Sequence, residues 1–119
     1  MHEVGIASSI LEMVYAEARR RPESRIIAVG LRIGELSNVD KDALTFAFDA
    51  LTHNSPWQDL KVEIEWCPRK QKCLACAEEF SVDHYQLNCP KCGDAATTMI
   101  SGTELDIAYL DVEDSCVKQ

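Results

Sequence analysis

Hydrophobic positions in the first twenty residues recur at three- and four-residue steps. Ala7, Ile10, Leu11, Val14 and Ala18 share one side of a helical wheel, while Ser9, Glu12, Glu17 and Arg19 lie elsewhere around it. This spacing predicts an amphipathic helix over residues 4–20. Arg19-Arg20-Arg21 suits the negative end of its macrodipole, and Pro22 ends it. From Arg25 to Leu36 the period falls to two. Ile27, Val29, Leu31 and Ile33 alternate onto one face of a long strand, and Gly30 and Gly34 on the other leave room for a bulge or a close neighbour. Asp40 then caps a second helix reaching about Leu51, with Leu44, Ala47, Phe48 and Leu51 as its apolar stripe, before Asn54-Ser55-Pro56 closes it. Leu60, Val62, Ile64 and Trp66 alternate with Lys61, Glu63 and Glu65, a half-buried strand with one wet face. A last strand is expected from Thr103 to Val112, through Leu105, Ile107 and Tyr109, although Leu110 and Val112 break its alternation.

Between these segments the chain changes character. Residues 67–99 are poor in aliphatics and rich in Cys, Lys, Glu and small side chains, so they lack the material for a hydrophobic core. The expected fold is α+β, with two helices packed on a small three-stranded sheet and an inserted four-cysteine, zinc-ribbon-like module. Residues 1–66 and 100–119 would form the α/β domain and residues 67–99 the module.

Charge narrows the function. Twelve Lys and Arg against twenty Asp and Glu leave the 119-residue chain at net −8, the wrong sign for a phosphate-backbone binder, which needs clustered cations. The residues after Met1 have neither the basic nor the apolar region of a secretory signal, and no apolar run is long enough to span a bilayer. A cytoplasmic location without membrane contact is therefore expected, and there six cysteines point to metal rather than to a disulfide framework.

Cys73-Leu-Ala-Cys76 and Cys89-Pro-Lys-Cys92 are two CxxC pairs separated by twelve residues. Each such pair turns as a knuckle whose backbone amides face sulfur, so four thiolates can surround Zn(II) tetrahedrally, and a site closed in this way is structural. Binding energies of about 10–16 kcal/mol for structural zinc would compensate for the missing core. Gly93 fits the left-handed position often needed after the second knuckle, whereas Ala77 stands at the equivalent place after the first. The spacing also admits iron. A thioredoxin-type redox centre fits it poorly, because that motif belongs at a helix start after a strand. Cys67 and Cys116 fall outside the pattern and are read as free thiols. His84 is read as a surface residue, and His53 as lying near the C-terminal end of the second helix.

A different metal chemistry is open to the opening residues, Met1-His2-Glu3. A residue as large as His at position 2 hinders removal of the initiator methionine. The Met1 amine, the His2 amide after deprotonation and the imidazole Nδ1 can then occupy three corners of a square plane in fused five- and six-membered rings, and Glu3 can supply a fourth ligand. Ni(II) and Cu(II) favour such nitrogen-rich sites. The amine titrates near ~8 and the imidazole near ~6.5, so protons compete with the metal across the physiological range.

In combination with Val29-Gly30-Leu31-Arg32-Ile33-Gly34-Glu35-Leu36-Ser37, Phe46-Ala47-Phe48, the two CxxC pairs and Ser101-Gly102-Thr103-Glu104-Leu105, the opening motif makes the chain resemble the HypA/HybF family of hydrogenase nickel-incorporation proteins over essentially its whole length. The resemblance implies a nickel metallochaperone, not an enzyme. It implies that Ni(II) is transient cargo bound through His2 and Glu3, with the Met1 amine contributing, and that Zn(II) is held structurally by Cys73, Cys76, Cys89 and Cys92. Asp40 matches a position that can lie near nickel, although its simplest reading is a helix cap. The implied partners are a HypB-type GTPase and the [NiFe]-hydrogenase large subunit, with urease maturation factors in some relatives; the protein itself would be a monomer or homodimer.

The alternative is a zinc-ribbon module that binds nucleic acid or protein and has no nickel role. Between Cys73 and Cys92 the only Lys or Arg is Lys91, against Glu78, Glu79 and Asp83, although Arg69, Lys70 and Lys72 precede it. That balance disfavours nucleic acid.

Overall fold

The computed structural model describes residues 3–82 and 87–114. Its contacts divide the chain into two compact units, one of Met1–Leu31, Asn38–Glu65 and Asp106–Gln119 and one of Arg32–Ser37 and Trp66–Leu105.

In the first unit, helix α1 spans Glu3–Arg20 and buries Ile6, Ala7, Ile10, Leu11 and Val14, the face expected from the apolar spacing. The carboxylate of Glu17 receives Arg20 and Arg21, each at 2.6 Å, at the end where cations oppose the macrodipole. The Arg21 hydrogen bond is the main reason the Glu17 carboxyl lies below its ordinary range. Helix α2 spans Lys41–Thr52. It starts where Asp40 accepts the amides of Asp42 and Ala43 at 2.9 and 3.2 Å, a cap worth on the order of 1 kcal/mol. Leu44, Ala47 and Phe48 are buried as expected. Leu51 differs, being 41% exposed, whereas Thr52 beside it is buried. The Thr52 hydroxyl can enter the core because it donates to the Phe48 carbonyl at 2.8 Å.

Strand β1 (Ser24–Gly34) lies between β2 (Lys61–Cys67) and β6 (Leu105–Asp114). Val29, Leu31 and Ile33 are buried on the expected face. The opposite face also holds buried residues, Ile26 and Ala28, whereas Ile27 is partly exposed, so the middle of β1 is covered on both sides. Gly30 explains part of that cover. A Cβ at this position would collide with the ring of Tyr109 on β6, and the Tyr109 hydroxyl donates to Glu63 on β2. One side chain thus crosses the central strand and links both edges. The bond to Glu63 holds the phenol neutral and raises its pKa.

The second unit contains structure the sequence pattern did not predict. Strands β3 (Lys70–Cys73), β4 (Glu79–Ser81) and β5 (Thr97–Ser101) form a second three-stranded sheet in the order β4-β3-β5, antiparallel throughout. Three to five residues are too few to show a period, and their side chains are mostly polar. A 3-10 turn at Glu35–Ser37 belongs to this unit. There the Gly34 amide donates to Glu104 and the Leu36 amide to Gly102, at 2.7 and 2.8 Å. Among the described residues no helix is long and apolar enough to cross a membrane.

Gly30→Ala should push the Tyr109 ring aside and cost about 1–3 kcal/mol in a denaturant melt. The same change should return the Tyr109 phenol toward its ordinary ~10 in an ultraviolet pH titration, as should Glu63→Gln. Because the phenol pKa is raised in the folded state, the Tyr109–Glu63 contribution is fully present below the unfolded value. It is lost as pH rises through the folded one. A Tyr109 titration unmoved by both substitutions would contradict this account.

Candidate functional site

The first knuckle is built at the end of β3. Cys73 closes that strand, its amide donating to the Glu78 carbonyl at 2.9 Å, and the Ala77 amide folds back on the Cys73 carbonyl at 2.9 Å. The Ala75 and Cys76 amides then face the Cys73 sulfur at 3.3 and 3.5 Å. The second knuckle repeats the pattern. The Cys89 amide donates to the Asp94 carbonyl at 3.0 Å, the Gly93 amide to the Cys89 carbonyl at 2.8 Å, and the Lys91 and Cys92 amides face the Cys89 sulfur at 3.3 and 3.4 Å. Both turns are left-handed at their last residue, with φ of 68° at Ala77 and 79° at Gly93. The alanine therefore adopts the conformation its glycine counterpart takes without steric cost.

The two knuckles bring Cys73, Cys76, Cys89 and Cys92 together with all four sulfurs within 4.8 Å of one another. Cys73 and Cys92 are 3.6 Å apart and Cys76 and Cys89 3.7 Å, far beyond the ~2.05 Å of a disulfide. A tetrahedral ion with ligand bonds of about 2.3 Å sets its sulfurs about 3.8 Å apart, close to both of these spacings, so the donor set suits Zn(II). Cys73 and Cys89 are buried, and Cys76 and Cys92 are exposed. The amides of Cys92 and Lys91 draw the Cys89 thiol down to about 7. At Cys92 the Asp94 amide favours the thiolate, but the neighbouring sulfurs of Cys73, Cys76 and Cys89 and desolvation prevail and push it up to about 12. Four sulfurs this close compete for charge, and a divalent cation removes that competition.

At the start of α1 a second arrangement appears. The Glu3 carboxylate accepts the backbone amide of Asp40 at 2.9 Å, and the Asp40 side chain caps the next turn of backbone. That bond from the Asp40 amide is the main cause of a Glu3 carboxyl pKa below its ordinary value. Two of the expected nickel-site residues, Glu3 and Asp40, are thus neighbours. The other two, Met1 and His2, lie outside the described residues, as do His84 and Cys116. His53 is the exposed C-cap of α2, and Cys67 is half-buried at the end of β2.

Several polar contacts that shape the second unit were not read from the sequence. Glu35 accepts the Arg69 amide and Glu104 the Gly102 amide, each at 2.9 Å. Gln71, buried on β3, donates to the Thr97 hydroxyl at 3.1 Å, which in turn donates to the Leu87 carbonyl at 2.9 Å. Apart from the local Glu104 bond, the partners are 10 to 34 residues apart, and no local motif marks them.

Residues 1–112 match the family described as hydrogenase/urease nickel incorporation, metallochaperone, hypA. Relatives described as hydrogenase maturation factor HypA are 35% identical in Albidiferax ferrireducens, 36% in Dechloromonas aromatica and 38% in Geobacter metallireducens. Each match covers 95% of this chain and the whole of the relative. Among solved structures, the nickel metallochaperone HypA of Helicobacter pylori is 24% identical with a TM-score of 0.59, covering 93% of this chain and 97% of that one. A second HypA solution structure, also 24% identical, reaches 0.69 over 95% and 97%. At that identity the structures speak for the α+β fold, while the sequence matches span the cysteine pairs and the amino-terminal motif alike. The chain belongs to the HypA family of hydrogenase/urease nickel-incorporation metallochaperones.

Proposed function

We propose that this protein binds Ni(II) through its first residues and delivers it for maturation of the [NiFe]-hydrogenase large subunit, in concert with a HypB-type GTPase, with urease maturation as a second destination. The observation that carries the reading is that the family match begins at residue 1 and so includes Met1-His2-Glu3, the one segment of the chain suited to a square-planar nitrogen chelate. The Met1 amine, the His2 amide and the His2 imidazole are the assigned donors. Glu3 contributes its amide or carboxylate, and its carboxylate bond to the Asp40 amide ties the start of α1 to the cap of α2. Asp40 supports the site through that junction. Its Oδ1 is already engaged by two amides.

Transfer proceeds by ligand exchange rather than catalysis. A partner's thiolate or imidazole replaces one terminal ligand at a time, and the buried core is not disturbed. Zn(II) in the four-cysteine site remains with the protein and holds the second unit together. The setting is the cytoplasm, where the maturation machinery works.

Nickel titration of tag-free protein should give a 1:1 site. A two-residue extension before Met1, or His2→Ala, should weaken it by more than the roughly tenfold to hundredfold typical of losing a supporting contact. Equal affinity in all three proteins would remove the amino-terminal assignment. Metal analysis should find one zinc per chain in each of them. Cys73→Ser should lose that zinc and broaden the amide spectrum of residues 67–105 while the α1 and α2 signals persist. Unchanged zinc content in this variant would refute the four-cysteine site.

A further inference from the structure

The first unit carries a groove that the metal chemistry leaves unused. It has a volume of about 340 Å³ and lies between the end of α1, the start of β1 and the segment that follows α2. Its apolar surface comes from Ile26, Ile27, Trp57 and Leu60, and its charged rim from Arg25 and Asp59. Ile26 is buried beneath it, and Ile27 is 37% exposed. The wall is preformed. The Trp57 ring rests on Tyr15 with centroids 5.2 Å apart, and the Trp57 amide donates to the Ser55 hydroxyl at 3.0 Å. The Leu60 amide donates to the Trp57 carbonyl at 3.0 Å, and Asn54 is held by the Gln58 side chain at 2.8 Å. A groove already in its binding shape spares a ligand the cost of ordering it.

Charge indicates what the groove takes. All four arginines of the first unit, Arg19, Arg20, Arg21 and Arg25, fall within seven residues at this end, in a chain whose net charge is −8. Arg20 and Arg21 are engaged by Glu17, whereas Arg25, at the rim, has no ion-pair partner among the described residues. Even with Glu17, Glu23 and Asp59 at the same end the local balance is positive, against −8 for the whole chain, so an acidic segment is favoured here over the rest of the surface. We propose that the groove docks a short acidic segment of a partner protein, with an apolar side chain set between Trp57 and Ile27 and an adjacent carboxylate paired with Arg25. Asp59 then accepts a backbone amide of the segment. The inference does not use the nickel assignment.

The test is NMR titration of the zinc-loaded full chain with two peptides, acetyl-Glu-Leu-Glu-Leu-Glu-amide and its lysine counterpart. The acidic peptide should shift the Trp57 indole and the Ile26 and Ile27 methyl signals saturably. The lysine peptide, although favoured by the overall charge, should not. Arg25→Glu should weaken the acidic peptide on the order of tenfold, the scale of reversing one partly exposed pair. Shifts that map elsewhere, equal binding of the lysine peptide, or an Arg25→Glu protein that binds as before would each overturn the proposal. Nickel affinity measured on Arg25→Glu should match the parent, so a failed docking experiment and a failed nickel assignment read out separately.

Discussion

Four sulfurs held within 4.8 Å of one another are the constraint on which the second unit depends. Of the described residues in that unit, Ile33, Cys73 and Cys89 are the buried hydrophobic ones, and its sheet is made of strands three to five residues long. Such a sheet has too little apolar surface to fold on burial alone. Left-handed turns at Ala77 and Gly93 and the amides that face Cys73 and Cys89 orient the sulfurs, but they do not neutralise them. The opposite pKa directions at Cys89 and Cys92 express that frustration: one sulfur takes the negative charge readily only while another is denied it. A divalent ion at the centre lets all four be thiolates at once, and its binding energy becomes folding energy for the unit.

The first unit stands on different physics. Ala7, Val14, Val29, Leu31, Leu44 and Phe48 are almost completely buried, and the two helices each contribute a continuous apolar stripe. Much of this was legible because a helix stripe and a strand alternation are local patterns. It failed where a polar group was satisfied inside the helix or where burial depended on a remote partner. Thr52 enters the core in place of Leu51 because its hydroxyl is satisfied within the helix, and Ile26 and Ala28 are buried opposite Val29 and Leu31 because cover arrives on both faces of β1. Gly30 was recognisable as a point of close approach, but nothing near it in sequence named Tyr109, 79 residues away, as the neighbour.

The candidate sites divide along the same line. The CxxC pairs were readable because each knuckle is four residues long and the ligand chemistry lies in the spacing itself. The short strands that carry them were not, since their stability comes from the cluster and leaves little apolar trace. Likewise the helix cap at Asp40 is a local signal, whereas its amide bond to Glu3 joins residues 37 apart. That bond gives Asp40 two structural duties, donor through its backbone and acceptor through its side chain, which favours the cap over direct metal ligation as the reason for an aspartate there.

Under the proposed function, resident metal and cargo metal need opposite chemistry. A cage of four cysteines offers no open coordination position, and every sulfur is fixed by the turn that carries it, so exchange requires the unit to loosen. That is suitable for an ion that stays. An amino-terminal chelate of the kind proposed would precede in sequence the first buried residue of the core, Ile6, so stepwise displacement of its ligands would not require the core to open. The Glu3 carboxylate is anchored on the Asp40 amide. From Ile6 onward the chain is committed to the core of the helix pair. Under that assignment, a chelate ahead of the core in sequence would reconcile a resident metal with a transient one in one small chain.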